Sequence, residues 1–253
     1  MAKGGSGKGR GRDAASRRPG GGSTAAGKGK PKASQPRKPK PAQPRAPKPV
    51  PVEPPLPATF TFGAIPGATP GRWIDTWNDR MPHTRLDFVP LVVADQRRAL
   101  VEGDVDAALV RLPIDKDGLH VIPLYDEVPV VVTASDSHLT AVDELDAADL
   151  VGEVLVVPRD DVLGIHIPGA VAPRFAPPAD TAEAIATVAA GVGIVVVPMS
   201  LARLHHRKDA DYRVLRDGPT STVALAWVAD STNPAIDAFV GIVRGRTANS
   251  SRG

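Results

Sequence analysis

The chain has 253 residues, 31 Lys and Arg against 28 Asp and Glu, 27 prolines and no cysteine. The missing cysteines exclude disulfides and thiolate metal sites and fit a reducing compartment; no apolar run approaches the roughly 18 residues of a membrane span. The net charge of +3 hides two halves of opposite sign: fourteen basic residues stand against only Asp13 and Glu53 before Ala58, a net of +12, and the remaining 17 basic and 26 acidic residues leave −9.

From Met1 to Pro57 the chain is a Gly/Ser coil (GGSGKGRGR, RRPGGGS) followed by a Pro-rich stretch (KPKASQPRKPKPAQPRAPKP). The second half is expected to be extended and polyproline-like. Neither half can bury enough apolar surface to offset its ordering entropy, so the segment reads as a disordered basic tail. Lys28, Lys30, Lys32, Arg37, Lys38, Lys40, Arg45 and Lys48 would attract phosphate backbones without sequence preference. Self-association with the acidic body, or no specific role, are the alternatives. Positive charge without a following apolar stretch does not predict a secretory signal, and a cytoplasmic location is expected.

After the tail, Thr59 to Ala64 alternates as a strand. Thr69 reads as an N-cap with Pro70 at the first helical position and Trp73, Ile74 and Trp77 on one face. Leu86 to Val93 reads as a strand and Ala94 to Glu102 as a short helix. The stretch from Gly103 to Leu139 organises the rest. It predicts a buried strand (Val105–Val110), a polar loop ending at Gly118, and an extended run to Thr133. In that run Val128–Val132 is apolar on both faces. Val142–Leu150 is expected to be a helix, Val154–Pro158 a strand and Arg159–Pro178 irregular. Thr181–Ala190 is expected to be a helix capped by Asp180 and closed by Gly191. Ile194–Val197, Tyr212–Leu215 and Val223–Val228 read as strands, Ser200–Arg203 and Pro234–Arg244 as helices, and residues 247–253 as a polar tail. The alternation predicts an α/β protein with mostly parallel sheets.

Four segments resemble the effector-binding (substrate-binding) domain of LysR-type transcriptional regulators. They are GDVDAALVR with GLHVIPLYDEVPVVV, SDSHLTAVDELDAADLVGEVLV, AAGVGIVVVPMSLA, and TFGAIPGATP. The resemblance implies a type 2 periplasmic-binding-protein fold: two Rossmann-like lobes joined by two crossing strands. Lobe one would be 59–131 with 225–244, and lobe two 132–224, the whole domain spanning 58–246. It also implies a small-molecule effector between the lobes and a homodimer. The family carries a winged helix-turn-helix before this domain. Here the basic tail holds that space, so sequence-specific DNA reading is not carried over.

In such a fold the loop from Ile65 through Gly67 and Ala68 to Thr69 meets the ligand. The family often places a hydroxyl residue near Gly67, so Thr69 and backbone N–H groups would substitute for it, or Thr69 would simply cap the helix. Arg111 would present its guanidinium fork to a carboxylate, or pair with Asp104, Asp115 or Asp117. His166 would face the cleft or sit hydrogen-bonded on the surface. Pro198 and Met199 end a strand where open α/β sheets contact ligands, unless Met199 only fills the core. His205 and His206 lack acidic partners at ligand spacing and stand among positive neighbours, so no metal is expected. Gly191-x-Gly193 lacks the rest of a phosphate loop, and no cofactor is expected. There is no cysteine nucleophile and no Gly-x-Ser-x-Gly elbow, so the chain does not read as an enzyme. A LysR-like regulator sensing an anionic metabolite, with non-specific DNA or RNA contact through the tail and no membrane partner, is the leading reading. A dimerisation module without ligand binding and a solute-binding protein are the alternatives.

Overall fold

The computed structural model describes residues 55–245. The eight tail cations singled out above and the polar C-terminal residues lie outside them. The chain order is β1 (Thr59–Ala64), α1 (Gly71–Arg80), β2 (Arg85–Pro90), α2 (Gln96–Val101), β3 (Ala107–Arg111), β4 (Leu119–Glu127), β5 (Pro129–Ala134), β6 (Glu144–Leu145), α3 (Thr181–Ala189), β7 (Val195–Pro198), α4 (Met199–Leu204), β8 (Ala210–Leu215), β9 (Ser221–Val228) and α5 (Pro234–Val243). One sheet has the order β2-β1-β3-β9-β4 and the other β6-β8-β5-β7. Each sheet with its covering helices makes one lobe.

Both sheets are mixed, which corrects the expectation of mostly parallel pairing. β1 is parallel to β2 and β3, but β9 runs antiparallel to both its neighbours, β3 and β4. In the second sheet β5 is antiparallel to β7 and β8, and only β6 pairs in parallel. Alternation of strands and helices does not encode direction; here β9 returns from the other lobe into the middle of the first sheet.

The chain changes sheet at Val128, between β4 and β5, and again between Leu215 and Ser221. The valine run offers no periodicity to mark that step. The lobe boundaries expected at 131/132 and 224/225 lie three and four residues past the starts of β5 and β9, and the valine run accounts for the first of these.

The first lobe is held by aromatic packing. Phe60, Phe62, Trp77 and Phe239 are fully buried, with ring centroids 4.4 Å apart for Phe62 and Phe239 and 4.8 Å for Phe60 and Trp77. Because β1 alternates, its two Phe rings share one face, where α1 and α5 cover them. The Trp77 indole N–H donates to the Thr84 carbonyl at 3.0 Å, so the largest core side chain leaves no orphan donor. The second lobe has no aromatic core. It packs Val130, Val132, Val195 and Val197 against Ala184, Ile185 and Val188 of α3 on one face. Leu139, Leu150, Ile167 and Ile194 lie on the other.

Three local expectations are corrected. The Val142–Leu150 helix is absent. The segment holds β6 and the single-turn 3-10 helix Ala147–Leu150, and another such turn, His138–Ala141, precedes it, because Ser137 and Asp146 cap short turns and Arg216 of the β8 end ties down Asp146. The Val154–Pro158 strand reduces to two isolated bridges, Val154 with Val171 and Leu155 with Ile194. Thr69 is not the cap of α1. Pro70 takes that position with no side-chain bond, and its carbonyl accepts from the Trp73 and Ile74 amides. At α3 the expectation agrees with the structure: Asp180 accepts from the Glu183 amide at 2.8 Å.

Candidate functional site

Where the chain crosses between lobes, four side chains meet. Arg111 ends β3 and is 1% exposed. Its Nη1 donates to Glu127 Oε2 at 2.8 Å and to Ser221 Oγ at 2.7 Å. Glu127 is the last residue of β4, before the first crossing, and Ser221 the first of β9, after the second. The two are register partners in the sheet. Ser200, on α4 of the second lobe, donates its hydroxyl to the same Glu127 oxygen at 2.9 Å. One guanidinium thus ties both crossing segments and, through Glu127, reaches the other lobe.

The strand that carries Arg111 is finished by a side chain rather than by another strand. Gln96 donates to the Arg111 carbonyl and accepts from the Arg111 amide, both at 2.8 Å. The backbone of Arg111 is therefore satisfied on both sides and its side chain is held in place.

The side chain is not fully satisfied. Arg111 Nε and Nη2 are buried and have no hydrogen-bond partner among the described residues. These two N–H groups lie on the same edge of the planar guanidinium and form the two-pronged fork that grips a carboxylate. Leaving buried donors unpaired costs about 1–3 kcal/mol each. The acids the sequence offered as partners are engaged elsewhere: Asp104 with Arg98 at 3.2 Å and Asp115 with Arg97 at 3.1 Å. Asp117 contributes its carbonyl to Arg97. Sequence reasoning missed Glu127. Its charge at the end of an extended run was visible, but the register that brings it to Arg111 was not.

Arg111 lines a cavity of about 620 Å³ between the lobes. From the first lobe come Pro66, Val92, Leu112 and Pro113, and from the second Asp161, Val162, Thr181 and Leu201. The Leu112–Pro113 peptide there is cis. The acids in the wall are committed to local structure. Asp160 accepts from the Thr181 hydroxyl, Asp161 from the Leu163 and Gly164 amides, and Asp180 caps α3. His205 also lines this cavity.

A second cavity of about 570 Å³ lies beside the same cluster and is lined by Gly67, Ala68, Thr69, Tyr125, Glu127, Met199, Ser200 and Arg203, among others. Glu127 and Ser200 face this one, Arg111 the other, so the ion pair stands between the two spaces. Burial, and next the negative charge of Glu127, push the Tyr125 phenol above its ordinary value against the opposing pull of Arg111.

The residues proposed from the sequence are therefore divided. Arg111 lines the first cavity; Gly67, Ala68, Thr69 and Met199 line the second. Ile65 and Pro198 are buried and line neither. His166 is exposed and belongs to neither cavity; the adjacent Ile167 takes the core position instead. Among the described residues no group of three or more His, Cys, Asp or Glu side chains could hold a metal ion.

Residues 56–248 match the family model described as LysR substrate binding domain. The Hca operon transcriptional activator HcaR of Escherichia coli K12 is 24% identical over 202 residues, covering 75% of this chain and 68% of that protein. The transcriptional regulator MetR of the same strain is 26% identical over 184 residues, 65% of this chain and 58% of its own. Among solved structures, the reduced OxyR regulatory domain of Pseudomonas aeruginosa superposes with a TM-score of 0.59 at 26% identity, covering 74% of this chain and 96% of that one. The BenM effector-binding domain with its effector benzoate gives 0.64 at 21% identity, with 75% and 92% covered, a likeness of fold. With the family model spanning both lobes and both crossings, this chain belongs to the LysR substrate-binding-domain family.

Proposed function

We propose that the protein is a LysR-type regulator body that senses a small anionic metabolite in the cavity bearing Arg111. The observation that carries this is the free Nε–Nη2 edge of a buried arginine at an interlobe cavity. A carboxylate would satisfy both donors in a charge-assisted pair, and the remaining wall, with Pro66, Val92, Leu112, Pro113 and Val162, suits an apolar remainder. The surrounding acids, held by local hydrogen bonds, do not compete for the guanidinium. The bound anion would favour one arrangement of the lobes over others, which is how a ligand signals. The relatives are named as transcriptional regulators, and this supports a non-enzymatic role in transcription; a cytoplasmic homodimer is part of the same proposal.

The test is a thermal-shift screen of the full chain with carboxylates, starting from benzoate, the effector of the BenM domain. A ligand at 100 times its Kd adds about 2.7 kcal/mol to stability. Arg111→Lys keeps a cation for Glu127 but loses the fork, so it should abolish that shift. A screen in which no carboxylate raises Tm sinks the sensing role. It would favour a body that only dimerises, a reading supported by Gly67, which stands where the family often places a hydroxyl residue.

A further inference from the structure

The absent side chain at position 67 has a second consequence. Gly67 has φ +84°, and a Cβ built there would overlap Ser200 Oγ and come within 2.9 Å of Ser200 Cβ and 3.2 Å of Leu201 Cδ2. The backbone of the first-lobe loop therefore lies directly against the first turn of α4 in the second lobe. The hydroxyl that fills this space is the same one that donates to Glu127, and Glu127 in turn holds Arg111. Neither Gly67 nor Ser200 lines the cavity that contains Arg111.

We infer that Gly67, Ser200 and Glu127 form a latch between the lobes and act as positioning residues for Arg111. With the lobes apposed, Ser200 seats against the bare backbone of Gly67 and holds Glu127, which holds Nη1. The Nε–Nη2 edge, across the guanidinium from Nη1, is thereby held on the side away from Glu127 and without a hydrogen-bond partner among the described residues. Any side chain at position 67 drives α4 outward, breaks the Ser200–Glu127 bond and frees the Arg111–Glu127 pair to rotate. The latch itself follows from the contacts; its consequence for ligand affinity rests on the effector reading above.

The chain contains no cysteine, so a label pair can be introduced cleanly. Asn78→Cys on α1 and Ala148→Cys in the second lobe are both exposed. Spin labels there report the interlobe distance by pulsed electron resonance in the full chain without ligand. Diluted with unlabelled chain so that pairs within one chain dominate, the otherwise unaltered chain should give one narrow distribution. Gly67→Ala should lengthen and broaden it, and Gly67→Ala combined with Ser200→Gly should bring it back only in part, because the second change removes the clash but also the hydroxyl that holds Glu127. Ser200→Val approaches the same contact from the other lobe, leaves the loop untouched, and should also lengthen the distance. An unchanged distribution in Gly67→Ala and Ser200→Val, or no recovery in the double variant, overturns the latch. Because these distances are read without ligand, they stand whether or not any carboxylate binds.

Discussion

At the scale of single residues, Arg111 and Glu127 carry the most weight. Both are buried, with 1% and 9% of their side chains exposed, so neither charge is tolerable alone. Removing one partner of such a pair costs about 3–5 kcal/mol, while replacing both with apolar residues is often close to neutral. Arg111→Met should therefore lower the urea midpoint sharply, and Arg111→Met with Glu127→Leu should recover most of it. A double variant as unstable as the single would show that the pair is not the source of the loss. Tyr125 gives the pH dependence. Its phenol is held protonated above the ordinary value of 10.0, by burial first and by Glu127 second. The unfolded chain then gives up this proton at lower pH than the folded one. The contribution to stability is complete below about pH 10 and fades as pH rises through the raised value. Denaturation followed from pH 8 to 11 should show a shallower loss in Tyr125→Phe than in the unaltered chain.

At the scale of elements, the two lobes are built by different means. α5 begins at Asn233, whose side chain accepts from the Ala235 amide at 3.0 Å, and lays Ile236, Phe239 and Ile242 on the aromatic face of the first sheet. Phe239 touches Phe60, Phe62 and Trp77 at once. Phe239→Ala should cost about 3–5 kcal/mol, measured as a lower thermal midpoint. Helices and strands with a clear period were legible: β1 and the α3 cap fall where alternation and Asp180 place them. Segments whose form depends on distant partners were not. Val142–Leu150 has the composition of a helix, yet β8 pairs with Glu144 and Leu145 and claims them as a strand. Leu155 is likewise fixed by a bridge to Ile194, far along the chain.

At the scale of the whole molecule, the charge is divided unevenly along the sequence, +12 before Ala58 and −9 after it. The fourteen cations before Ala58 should bind DNA through counterion release, with an affinity that falls steeply with salt and hardly varies between sequences. Gel shifts on unrelated duplexes should show this, and deletion of residues 1–57 should abolish it; a strong preference for one operator would contradict it.

What the amino-acid sequence determined alone was most of the order of elements, the α/β class, the two-signed charge and the family, because these rest on local period and on motifs in sequence order. It also marked Arg111 and Gly67 as positions of interest. Which groups they meet was decided only by the tertiary structure. Glu127 becomes the partner of Arg111 because β9 pairs with both β3 and β4, and Ser200 comes to Gly67 because α4 follows a strand of the other lobe. Such contacts join residues up to 133 positions apart in the chain, as at Gly67 and Ser200, and no periodicity extends that far. The candidate site is therefore a product of register and lobe apposition, in which a buried guanidinium is left with one edge satisfied and one edge free.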